Sequence, residues 1–198
     1  MTAQLFTAAA QQLLARRVAG TKAYGLADTI KPNTLEDALA VHQAMIKLRP
    51  DHVAGWKCLL PVSEDKVIVA PIFSNTVQKG DQCWLMKDKG KARVEPEIAF
   101  VLNKDLPARD TDYSEAEINE AIGSCHMALE LMQNRFADDA KVEFPELLAD
   151  CLVNQGLFIG PEIDKTLAFA ASHIDLSFKQ TEASGEVSGE VNEQTFKR

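Results

Sequence analysis

The first periodic segment runs from Gln4 to Val18, where Leu5, Ala8, Ala9, Leu13 and Val18 recur at close to helical spacing among Ala, Gln and Leu. An amphipathic helix is predicted there, ended by Gly20. A second stripe, Leu35, Ala38, Val41, Ala44, Met45 and Leu48, follows Asn33, which pairs with Glu36 as a capping-box-like start. Pro50 closes that helix. After His52 the texture changes to short apolar runs bounded by Pro, Gly and Asp: Val53 to Leu60, Val67 to Ile72, Cys83 to Met86 and Val94 to Leu102. Such runs predict strands. Ser114 and Glu117 form another capping box, starting a helix that runs toward Gly123 or beyond. From His173 to Lys179 the chain alternates, with Ile174, Leu176 and Phe178 on one face, as a half-buried strand does. The tandem SGEV at Ser184–Val187 and Ser188–Val191 reads as a hairpin turn, with little apolar sequence left before Arg198 to build the strand after it.

These elements predict an α+β fold: an N-terminal helical layer over 1–52, then a β-rich core over 53–198, one folding unit that is incomplete at its C-terminal end. Composition agrees with a globular chain, 198 residues long, 46% hydrophobic and 25% charged. Its 29 acidic against 21 basic side chains leave a formal charge of -8, so neither a nucleic-acid partner nor an anionic membrane surface is expected. Cys58, Cys83, Cys125 and Cys151 are widely spaced, with no C-x-x-C pair, and read as reduced thiols of a cytoplasmic protein. The chain carries no nucleotide-binding glycine motif and no serine nucleophile elbow.

Chemistry is concentrated in VEPEIAFVL. On a strand Glu95 and Glu97 project to one face, and Val94, Pro96, Ile98 and Phe100 to the other. Two neighbouring carboxylates repel unless a cation lies between them, and hard oxygen donors suit Mg²⁺, Mn²⁺ or Ca²⁺. A solvated edge strand, which would also tolerate Pro96, accounts for the same pattern. Glu130, set between uncharged residues, is the candidate third carboxylate, with a helix surface as its alternative. Lys57 in VAGWKCLLP is a lone ammonium in an apolar run: either it is paired and catalytic, or its head snorkels to solvent from a strand edge.

Gly55-Trp56-Lys57, the Glu95–Leu102 strand, Asp105-Leu106-Pro107, Ala128-Leu129-Glu130, Asn134-Arg135 and Ala149-Asp150 through Ile159-Gly160 together resemble the 2-keto-4-pentenoate hydratases of the fumarylacetoacetate hydrolase fold family. The resemblance implies mixed sheets rolled around a site in which Glu95, Glu97 and Glu130 hold Mg²⁺ or Mn²⁺. It implies that the ion is chelated by a small 2-oxo acid or 2-hydroxydienoate from aromatic-compound catabolism. Lys57 and Asp150 would be the catalytic residues, Lys57 contacting substrate or moving a proton and Asp150 orienting a water or a neighbouring side chain. A hydratase is the first expectation; a decarboxylase or hydrolase on the same fold, or a non-catalytic binding or assembly partner, are its alternatives. The chain differs from the family in having Cys151 where Asn is common, Cys58-Leu59-Leu60-Pro61 where a small-residue turn is usual, and no Gly-His-Pro-Leu segment after the region matching Ser184 to Glu190. An open sheet edge at that end would favour a homo-oligomer, or association with a related decarboxylase.

Overall fold

The computed structural model describes residues 2–19, 22–59, 67–87, 90–170, 173–178 and 192–197, the last two segments as backbone. Helices α1 (Ala3–Ala19) and α2 (Leu35–Leu48) form where the apolar stripes predict them. Their stripes face each other: Ala9 and Leu13 of α1 and Val41 and Met45 of α2 are buried in one cluster with Phe73 and Leu148. The cap of α2 is Thr34, not Asn33. The Thr34 hydroxyl accepts from the Asp37 backbone at 3.1 Å, whereas the Asn33 amide donates to the Lys31 carbonyl at 3.2 Å. The capping register therefore lies one residue later than the sequence pattern indicates.

The chain divides into two compact units, Met1–Ala99 with Met127–Pro161, and Phe100–His126 with Glu162–Arg198. In the first, β1 (Val53–Cys58) pairs antiparallel with β2 (Val69–Phe73), placing Lys57 opposite Ala70. Helix α4 (Phe144–Ala149) packs on α2 and continues into a short 3-10 turn, Cys151–Val153. A four-stranded sheet has the order β3-β6-β5-β4, formed by β3 (Val77–Lys79), β4 (Arg93–Leu102), β5 (Ile122–Met132) and β6 (Asn154–Ile163). Strands β3 and β6 are parallel, with Val77 opposite Leu157. This approach requires Gly156, because a Cβ there would lie 2.3 Å from the Thr76 carbonyl oxygen.

In the second unit α3 (Glu115–Ala121) starts at the expected capping box of Ser114 and Glu117. Arg109 reinforces it, its two terminal nitrogens donating to the Glu117 carboxylate at 2.8 and 2.9 Å. Helix α3 runs toward Gly123 but stops at Ala121, and β5 begins directly at Ile122, so the helix does not extend beyond the glycine. Lys165, at the start of α5 (Lys165–Ala170), donates to the Ile122 carbonyl at 3.1 Å. Strands β7 (His173–Phe178) and β8 (Asn192–Lys197) pair antiparallel, with Ile174 opposite Phe196. The polar sequence of β8 thus does complete a strand, since backbone pairing needs no apolar side chain. The SGEV tandem lies outside the described residues.

The α+β expectation holds, with antiparallel and parallel pairings mixed. One expected strand does not form: Cys83 to Met86 belong to an irregular segment, in which Trp84 is three-quarters exposed. The Gln78 side chain bonds both the Trp84 N–H and its carbonyl, at 2.8 and 3.0 Å, occupying the groups a neighbouring strand would use. Among the described residues no helix is long and apolar enough to cross a membrane.

Candidate metal centre

Strand β4 projects Glu95 and Glu97 to one face, and β5 brings Glu130 to meet them. One carboxylate oxygen from each of the three lies within 4.8 Å of the others. Glu130 is fully buried, Glu95 and Glu97 half-buried. The extended alternative for Glu130 therefore holds, because Ile122–Met132 is a strand. Lys57 reaches the cluster from β1. Its ammonium is hydrogen-bonded to Oε2 of Glu130 and stands 3.6 Å from Oε2 of Glu95, so the buried lysine is paired and does not snorkel outward. Arg93 donates to Oε1 of Glu95 at 2.8 Å from the exposed rim.

The electrostatics show what the cluster lacks. Desolvation, then the neighbouring Glu130 charge, push the Glu97 carboxyl up to about 7, against the attraction of Lys57. Burial raises Glu130 as well, opposed by its hydrogen bonds from Lys57 and Asn154. Three carboxylates converge on one space, facing a single buried ammonium. Their oxygens are hard donors, and a divalent cation would offset both the desolvation and the mutual repulsion that raise Glu97. The donor set thus fits Mg²⁺ or Mn²⁺, which Glu95, Glu97 and Glu130 would hold.

Asp150 is not one of the three converging carboxylates. It caps α4, is fully buried, and receives the Arg135 guanidinium, whose Nε donates to its two carboxylate oxygens at 3.1 and 2.9 Å. Nη2 of Arg135 donates to the backbone carbonyls of Asp150 and Asn154, both at 3.0 Å, and Nη1 to the Gln155 side chain at 2.9 Å. Arg17 adds a bond to the Asp150 carbonyl at 3.4 Å. Burial pushes the Asp150 carboxyl up, while Arg135 and Arg17 hold it down. The structure thus brings Lys57, Glu95, Glu97 and Glu130 together and commits Asp150 to Arg135.

One participant carries no sequence signal. Asn154, fully buried, donates from Nδ2 to Oε1 of Glu130 at 2.9 Å and to the Gly156 carbonyl at 3.3 Å. It follows Cys151, Leu152 and Val153, whose φ angles of 57, 54 and 58° are all left-handed. For residues with a Cβ this conformation costs roughly 1–2 kcal/mol each. None of the three is the Gly or Asn that would mark such a turn in a sequence.

No family model matches the chain, and no curated protein matches it. Solved structures do. The 4-oxalocrotonate decarboxylase from Pseudomonas putida G7, complexed with magnesium and adipate, aligns over 95% of this chain and 73% of its own, at a TM-score of 0.71 and 15% identity. The same enzyme complexed with calcium and acetate aligns over the same shares at a TM-score of 0.69 and 15% identity. At this identity the likeness establishes the fold: α+β, with N-terminal helices and a mixed sheet, of the fumarylacetoacetate-hydrolase type.

Proposed function

We propose that the chain is a divalent-metal-dependent lyase acting on a small 2-oxo acid or 2-hydroxydienoate. The observation that carries this reading is the convergence of Glu95, Glu97 and Glu130 beside the Lys57 ammonium. A bound Mg²⁺ or Mn²⁺ would supply Lewis-acid stabilisation of the enolate charge that develops on a 2-oxo acid. The protein's own residues do the rest. Glu95, Glu97 and Glu130 would hold the ion from two neighbouring strands, which are stiffer supports than loops. Lys57 places a hydrogen-bond donor and a transferable proton within the same cluster, where an enolate carbon must be reprotonated. Its bond to Glu130 directs the ammonium.

Hydration of a 2-hydroxydienoate is the reaction expected from the resemblance in sequence. Decarboxylation is the second reading, supported by the fold neighbour being a decarboxylase that binds magnesium and a dicarboxylate, adipate. Both reactions pass through an enolate and both need a proton donor, so the same cluster serves either.

The test is an absorbance assay with Mg²⁺ on 2-hydroxypentadienoate and, separately, on 4-oxalocrotonate with CO₂ detection. Turnover of the first supports hydration, and CO₂ release from the second supports decarboxylation. Metal binding without either would favour a non-catalytic partner. Lys57→Met is expected to lose turnover while keeping metal affinity within about tenfold, because lysine is not a ligand.

A further inference from the structure

The left-handed run Cys151–Val153 is a costly conformation with no glycine to relieve it, and such runs persist only where their surroundings over-determine them. Here Arg135 is the side chain that reaches both sides of the run, beside the Arg17 bond to the Asp150 carbonyl at 3.4 Å and the Gln133 N–H bond to the Val153 carbonyl at 2.9 Å. Arg135, fully buried, bonds the carboxylate and carbonyl of Asp150 before the turn and the carbonyl of Asn154 and side chain of Gln155 after it. Both ends of the turn are thereby tied to one planar guanidinium. What leaves the turn is Asn154, and its amide meets Oε1 of Glu130 at 2.9 Å. Lys57 bonds the other oxygen, Oε2. Each Glu130 oxygen therefore spends one lone pair on the protein and keeps one for a cation.

We infer that Arg135 and the left-handed turn it clasps are a positioning device for Glu130, with Asn154 the residue that sets the carboxylate's orientation toward the ion. This rests on the metal reading above. A neutral amide is well matched to that role, because it orients the carboxylate without adding a positive charge that would compete with the cation. Arg135 is equally well matched to the turn, since a planar fork reaches several acceptors in fixed directions and a lysine cannot.

The experiment is Mn²⁺ titration by calorimetry, with Mn²⁺ electron paramagnetic resonance and a thermal melt, on the wild type, Asn154→Ala and Arg135→Lys. Asn154→Ala is expected to melt cooperatively, to bind Mn²⁺ about 10- to 100-fold more weakly, and to give an altered Mn²⁺ line shape. Arg135→Lys is expected to show the same two changes wherever its melt shows it folded. A folded Asn154→Ala protein that binds Mn²⁺ within about twofold of wild type, with an unchanged line shape, overturns this inference alone. A wild type that binds no Mn²⁺ overturns the metal reading and this inference together.

Discussion

Two clusters of buried charge lie in the first unit, and they solve the same problem in opposite ways. Around Asp150 the protein supplies a matching charge: Nε of Arg135 donates to both carboxylate oxygens, its terminal nitrogens reach the Asp150 and Asn154 carbonyls and Gln155, and Arg17 bonds the Asp150 carbonyl. Around Glu130 it supplies less, setting three carboxylates, among the described residues, against one buried ammonium and the exposed Arg93 at the rim. Burying charge is tolerable only when it is paired and hydrogen-bonded. The cluster at Asp150 is accordingly paired within the chain. The unbalanced one marks the place for a ligand of opposite charge.

The contrast can be broken by removing charge from each side. The largest effect is expected from Arg135→Met, which strands Asp150 as an unpaired buried anion: a loss of about 3–5 kcal/mol, measured by urea unfolding. On the same side, fully buried His42 donates from Nε2 to the Leu148 carbonyl at 2.6 Å, while its Nδ1 has no partner among the described residues. Desolvation lowers its pKa from 6.5 to about 4, with the Arg17 charge acting in the same direction against the Leu148 bond. Between those values the unfolded chain binds the proton and the folded chain does not. Stability contributed by His42 is therefore complete above pH 6.5 and falls as pH drops through about 4, by about 3 kcal/mol in all. Unfolding measured across that range, on wild type and His42→Gln, should show the slope in the first and its loss in the second.

On the unbalanced side the signs reverse. Mn²⁺ at 100 times its dissociation constant should stabilise the wild type by about 2.7 kcal/mol, read as a shift in the urea midpoint. In chelator, Glu97→Gln should stabilise the protein by about 1 kcal/mol, allowing for solvent screening of a half-buried group. A destabilised Glu97→Gln protein would mean that the trio is already balanced without an ion.

How legible all this was in the sequence differs between the two clusters. The face shared by Glu95 and Glu97 follows from strand alternation alone, and the helix start at Ser114 follows from its capping box. Local rules suffice where the determining contacts are local. Glu130 is a candidate from its uncharged surroundings alone, with a helix surface as the alternative, and the family resemblance is what joins it to Glu97 and Glu95, 33 and 35 positions away in the chain. Asp150 enters through the same resemblance, but its bond to Arg135 lies beside a turn whose residues, Cys-Leu-Val, advertise no left-handed backbone. Asn154 had no signal for the same reason. Cys83 to Met86 carried the apolar pattern of a strand, but the Gln78 side chain takes the backbone groups that pairing would need.

The most direct test of the metal centre is calorimetric titration of the wild type and of Glu97→Ala with Mg²⁺ and Mn²⁺. The expected result is one ion bound per chain in the wild type and an affinity weakened by more than about 100-fold in the variant, since a lost ligand should cost at least as much as a lost outer partner. A wild type that binds neither ion, or a Glu97→Ala protein that binds as tightly as wild type, would contradict it.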